Sequence, residues 1–290
     1  MNPLAVLVVS ASLAACGGTP APAAPATDPP APAAVFQPTA FGVEVAGSGR
    51  PVILIPGLGC PGSMWKDTVA HLGPGVQSHV LTLSGFAGRP PLPADKPLIA
   101  TARAELAAYI RDRRLDHPAV IGHSLGGFLA YWLAATEPEL VGPVVAVDAF
   151  PAMGAMPAGD AGAADMRDRW KQMSAEAFAA SLRQFFATMA RDPARLEPLL
   201  AEVVRSDPRA VADAFYELFA TDLRPELGKI TQPLLAIVAD SPYQQLIAEQ
   251  LAGVPHHEVT PIPHTRHLVM IDDPAGFTRV LTAFLASHPR

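Results

Sequence analysis

Cysteine is nearly missing from this chain: two in 290 residues, Cys16 and Cys60. That excludes a disulfide-stapled scaffold. Charge is sparse too, at 17% Asp, Glu, Lys and Arg, with a formal net charge of −6. With no basic block, nucleic acid is not a fitting partner. The apolar run Leu4–Ala15 is too short to span a bilayer. There is no H-E-x-x-H, no C-x-x-C and no acidic calcium loop, and the nine histidines are scattered, so neither a metal nor a cofactor is expected. What the chain has instead is apolar bulk. Half its residues are hydrophobic, enough for one sizeable core.

The most informative segment is Val120-Ile121-Gly122-His123-Ser124-Leu125-Gly126-Gly127. It reads as G-x-S-x-G, a nucleophile elbow, between an apolar strand (119–121) and an apolar helical pattern (128–135). Such a turn strains the serine backbone and brings its flanks close together. The neighbours two positions away must therefore be almost free of side chain, as Gly122 and Gly126 are. Ser124 is displayed beside a helix N-terminus, where backbone N–H groups favour negative charge.

The N-terminal segment has a different character. Leu13-Ala14-Ala15-Cys16 resembles a bacterial lipobox, although Met1-Asn2-Pro3 lacks the usual positive charge. The resemblance implies a signal peptide over residues 1–15, lipidation of Cys16, and export to the cell envelope through a lipid anchor in the membrane. Gly17 after the cysteine, in place of Asp, resembles the sorting signal for the outer membrane. An ordinary signal peptide is the alternative. Residues 16–37 are an Ala/Pro/Thr tract without periodicity, expected to form an extended tether. The folded domain is expected over residues 38–290, as a monomer.

Along that domain, strands are expected at 41–45, 51–55, 78–83, 119–121, 144–147, 234–238 and 256–262, with helices at 64–72, 100–113, 128–135 and 274–286. From about Met166 to Leu223 only helical spacing occurs, with Trp170, Met173, Phe178, Leu182, Phe185 and Phe186 recurring on it. Short buried strands alternating with helices imply α/β architecture, a mostly parallel central sheet flanked by helices. From about residue 36 to the C-terminus the pattern resembles the α/β-hydrolase family. The resemblance implies an antiparallel hairpin at the start and a helical cap, about 151–225, inserted before the last third. Only a few of its aromatic and Met residues are expected to reach the pocket, the rest packing helix on helix.

A serine hydroxyl needs a base, and the base needs a group that fixes its tautomer. The resemblance implies the chain order Ser, acid, His. His264 and His267 compete for the base. The stretch His267, an apolar tetrad, Asp272-Asp273 and Pro274 resembles the family's loop before the last helix and selects His267, although Arg266 stands where the family usually has Gly. For the acid, Asp240 after strand 234–238 is favoured, with Asp148 at the end of strand 144–147 as the alternative. Asp272 and Asp273 read as caps of the last helix. Oxyanion donors are expected from the backbone N–H groups of Leu125 and Leu58, the latter in the loop Pro56-Gly57-Leu58-Gly59.

That loop also satisfies G-x-G-x-x-G (57–62), the dinucleotide fingerprint. The next strand, however, ends Leu83-Ser84-Gly85 without the acid that would hold a ribose, and Pro61 removes a backbone donor. The expected activity is therefore hydrolysis of a small-molecule carboxylic ester through an acyl-serine. Lactonase, thioesterase, proline-type peptidase and cofactor-free haloperoxidase share the triad and stay open. So do a slow-turnover ligand-binding protein and, from the fingerprint, an NAD-dependent dehydrogenase. A peptidase would place Glu176 or Glu217 in the pocket.

Overall fold

The computed structural model describes Ser10 and residues 36–156 and 159–289. The signal segment, Cys16 and the tether up to residue 35 lie outside the described residues. Seven strands form one sheet: β1 (Phe41–Gly47), β2 (Arg50–Ile55), β3 (Val76–Leu83), β4 (Ala119–His123), β5 (Val144–Val147), β6 (Leu234–Ala239) and β7 (His257–Ile262), in the order β1-β3-β2-β4-β5-β6-β7. Six of them run parallel. β1 is antiparallel, and its partner is β3, not β2. The expected opening hairpin is thus corrected: Gly47-Ser48-Gly49 turns the chain, but β3 inserts between the two strands.

Alternation along the strands sorts side chains onto two faces, as a period of two requires. Ile53, Ile55, Val120, Val144, Ala146, Ala236 and Val238 enter one core. Helices α2 (Leu98–Asp112) and α3 (Leu125–Thr136) cover that face. Val52, Leu54, Ala119, Ile121, Val145, Val147, Leu235 and Ile237 enter the other core, beside Trp65, which precedes α1 (Lys66–Leu72), and Phe277 and Leu281 of α10 (Pro274–Ser287). Strands β4, β5 and β6 are buried on both faces. Each fully buried Val, Leu or Ile adds about 1.5–3 kcal/mol to such a core.

Between β5 and β6 the chain is helical: α4 (Gly159–Gln172), α5 (Ala175–Ala187), α6 (Glu197–Val203) and α7 (Pro208–Ala220). Trp170 anchors this insertion, edge-to-face with Phe178, Phe185 and Phe215 at 5.8, 5.9 and 5.2 Å. Two helices go beyond the sequence reading, α8 (Gln244–Leu251) and the single turn α9 (Val269–Asp272). Among the described residues, no helix is long and apolar enough to cross a membrane.

Candidate active site

Ser124 follows β4 with φ 53° and ψ −118°, a left-handed backbone that returns the chain directly into α3. Its amide donates to Val147 O at 2.9 Å, and its carbonyl accepts from Phe128 N at 2.9 Å. The closeness expected around the serine is real. A Cβ on Gly122 would collide with the Gly126 carbonyl, and one on Gly126 with the Ile55 carbonyl. A Cβ on Gly57 would stand 3.4 Å from Ser124 Cβ, so the glycine-rich loop lies against the serine. Leu58 in that loop and Leu125 at the first position of α3 carry the expected oxyanion donors. A first-turn N–H has no acceptor within its own helix, which leaves the Leu125 amide available. Gly62 opens a 3-10 turn, and the G-x-G-x-x-G string serves as an elbow-packing loop.

The structure corrects the expected acid. His267 Nδ1 donates to Asp148 Oδ2 at 2.6 Å, whereas Asp240 Oδ2 accepts from the His264 backbone N–H at 3.0 Å and is exposed. Register explains the choice. Val147 pairs with His123, so the next residue on each strand, Asp148 and Ser124, share a row. Val147 also pairs with Ile237, so β6 fills that row with Val238, and Asp240 falls two residues past it. Asp148 holds a positive φ of 45°, and its Oδ1 accepts from Ala239 N at 2.9 Å. Burial pushes its carboxyl pKa up. The hydrogen bond and charge of His267, with the Ala239 amide, outweigh burial and hold it below the ordinary carboxylate range.

His123, between Gly122 and Ser124, is a buried residue of the cavity lining to which the sequence reading gave no role. Its Nε2 donates to His267 O at 2.9 Å, and the two rings lie 4.7 Å apart. Burial above all, then the neighbouring His267, lowers its pKa to about 3, so it is a neutral donor. The only signal available was a polar residue at the end of an otherwise apolar strand. His264, the competing base, is exposed at φ 60° and contributes backbone bonds only. Asp273 caps α10 as expected, accepting from Gly276 N at 2.9 Å. Asp272 does not. It accepts from Arg191 N and Arg266 N, at 2.9 and 2.7 Å.

Ser124, His267 and Asp148 line one cavity of about 390 Å³. Its walls are apolar: Met153 and Met156 before α4, Phe185, Phe186 and Met189 from the region of α5, and Phe215, Leu218 and Phe219 from α7. More of the insertion reaches the cavity than expected. Arg266 and Asp240 are exposed residues on its border. Cys60 is a buried wall residue, and burial pushes its thiol up to about 12, far from a reactive thiolate. Neither glutamate considered for a peptidase lines the cavity. Glu217 binds the α2 amides of Ile99 and Ala100 at 2.9 and 2.8 Å, and Glu176 is exposed in the first turn of α5. Among the described residues, no group of three or more His, Cys, Asp or Glu is placed to hold a metal ion.

Residues 52–280 match the model of a family described as the alpha/beta hydrolase family. A pimeloyl-[acyl-carrier protein] methyl ester esterase of Pectobacterium carotovorum is 25% identical over 254 residues, covering 83% of this chain and 96% of that protein. Among solved structures, a bromoperoxidase from Bacillus anthracis superposes with a TM-score of 0.76 at 21% identity, covering 85% of this chain and 95% of that one. An enol-lactonase from Burkholderia xenovorans gives 0.71 at 19% identity, covering 85% and 96%.

Proposed function

Because the chain belongs to the alpha/beta hydrolase family, we propose that it cleaves carboxylic esters through an acyl-serine intermediate, with Ser124 as nucleophile, His267 as base and Asp148 as acid. The observation that carries this reading is the 2.6 Å bond from His267 Nδ1 to Asp148 in the cavity that Ser124 also lines. Asp148 fixes the tautomer that leaves His267 Nε2 unprotonated and able to accept the serine proton. Ser124 Oγ attacks the ester carbonyl, and its proton passes to Nε2. The Leu58 and Leu125 amides receive the oxyanion, each worth about 3 kcal/mol to the transition state. The imidazolium formed is stabilised by Asp148, which stays ionised, and returns the proton to the departing alkoxide. Water, deprotonated by the same base, then releases the carboxylic acid and restores Ser124.

The apolar walls favour an uncharged acyl or alcohol group, since an ion there would find no counter-charge deep in the cavity. The esterase named among the relatives supports the same bond type. The test is steady-state hydrolysis of p-nitrophenyl esters of increasing acyl length by the wild type and Ser124→Ala. The variant should lose on the order of 10⁶ in kcat. Activity retained within tenfold would overturn the mechanism.

A further inference from the structure

The loop carrying His267 is bonded to the helical insertion on both sides of that residue. Before it, Arg266 Nη1 donates to Thr188 O at 3.2 Å, and after it, Leu268 N donates to Met189 O at 3.0 Å. Asp272 joins the same two segments through one carboxylate. Its Oδ1 accepts from Arg191 N of the insertion, and its Oδ2 from Arg266 N, the amide immediately preceding His267. The Arg191 guanidinium returns to His264 O at 2.8 Å, and Arg195 reaches Asp272 O at 3.3 Å. Five bonds thus tie residues 188–195 to residues 264–272, and the sixth, Arg266 N to Asp272, braces the loop itself. Met189, in that strap, is also a wall of the substrate cavity.

From this geometry, and resting on the triad reading above, we propose that Asp272 is a positioning residue for the reaction. It orients His267 by holding the loop on the insertion, so that the cavity wall and the base move as one body. Asp272 touches neither the substrate cavity nor the reacting atoms, so it acts through His267 and not on substrate. A carboxylate suits this place because it alone among short side chains offers two acceptor oxygens to two separate backbone donors. An Asn keeps one acceptor and turns an NH₂ toward the other donor.

The test uses the full chain and an acetyl ester, whose small acyl group depends least on the cavity wall. Asp272→Ala should lower kcat on the order of 10- to 100-fold with little change in KM, the signature of a displaced base. Asp272→Asn should fall between it and the wild type. The low-field proton resonance of His267 Nδ1–H in its bond to Asp148 should broaden or shift in Asp272→Ala, with the melting temperature recorded alongside. A merely structural role would lower the melting temperature and leave kcat and that resonance at wild-type values, and this result overturns the proposal. Should Asp272→Ala not fold, Asp272→Asn carries the test, and a wild-type kcat with an unshifted resonance in that variant overturns the proposal. Failure of the triad reading is seen separately, as activity surviving in Ser124→Ala.

Discussion

The ends of β5 and β6 make an instructive pair. Both strands are parallel, buried on both faces and followed within one residue by an aspartate. Asp148 is 8% exposed and accepts from His267 and Ala239. Asp240 is exposed and accepts from a backbone amide at the cavity border. The same side chain becomes either a buried partner of His267 or a loop fastener, according to its row in the sheet. A shift of two residues along a strand moves a carboxylate about 6–7 Å, well beyond hydrogen-bond reach.

That contrast can be broken most forcefully by exchanging each acid for its amide. Asp148→Asn should cost on the order of 10⁴ in kcat, because an amide can no longer hold the imidazole in its working tautomer. Asp240→Asn should cost less than about tenfold, its remaining oxygen still accepting from the His264 amide. Comparable losses in the two variants would abolish the distinction drawn between the strand ends. Next in size is Gly126→Ala, where a methyl meets the Ile55 carbonyl and not a mobile side chain. We expect about 3 kcal/mol of lost stability by urea denaturation, as β4 is forced out of its row against β2. An unchanged midpoint would mean that the elbow can relax.

A further variant sharpens the electrostatic side. The folded pKa of His123, about 3, lies below the ordinary value of 6.5. The unfolded chain therefore takes up a proton that the folded chain refuses as the pH drops below 6.5. Stability attributable to this residue is complete above pH 6.5 and declines progressively toward pH 3. His123→Gln, which keeps an N–H donor without a titrating ring, should flatten the stability profile between pH 6.5 and 4. A profile as steep as that of the wild type would show that His123 is not its source.

Much of this was legible in the chain. Gly122, Ser124 and Gly126 announced the elbow because a turn that tight tolerates few residues, and His267 followed from its place before Pro274. Strand positions were readable from apolar runs, and the helical insertion from Trp170, Phe178 and Leu182. Strand pairing was not, since nothing local in Phe41–Gly47 distinguishes β3 from β2 as its partner. Asp148 stood only second to Asp240 as the acid for the same reason. Asp148 and Asp240 both end apolar strands, and only the register of β4, β5 and β6 separates them. Asp272 looked like a helix cap because Asp273 beside it is one; its bond to Arg191, 81 positions earlier, is a long-range fact.

The insertion leaves the sheet once, after β5, and rejoins it once, before β6, yet it builds much of the cavity wall. In engineering terms it is a cassette with two splice points. Exchanging residues 151–225 for a segment of different bulk would change which acyl groups fit, while the elbow stays under the same steric lock. An exchange must preserve residues 188–195, whose backbone presents the Arg191 N–H to Asp272 and the Thr188 and Met189 carbonyls to the histidine loop, and the bonds of Ser206, Asp207 and Glu217 to Gly59, Gly85 and α2. A library of grafts that fixes those positions and varies the rest would separate altered preference from lost activity.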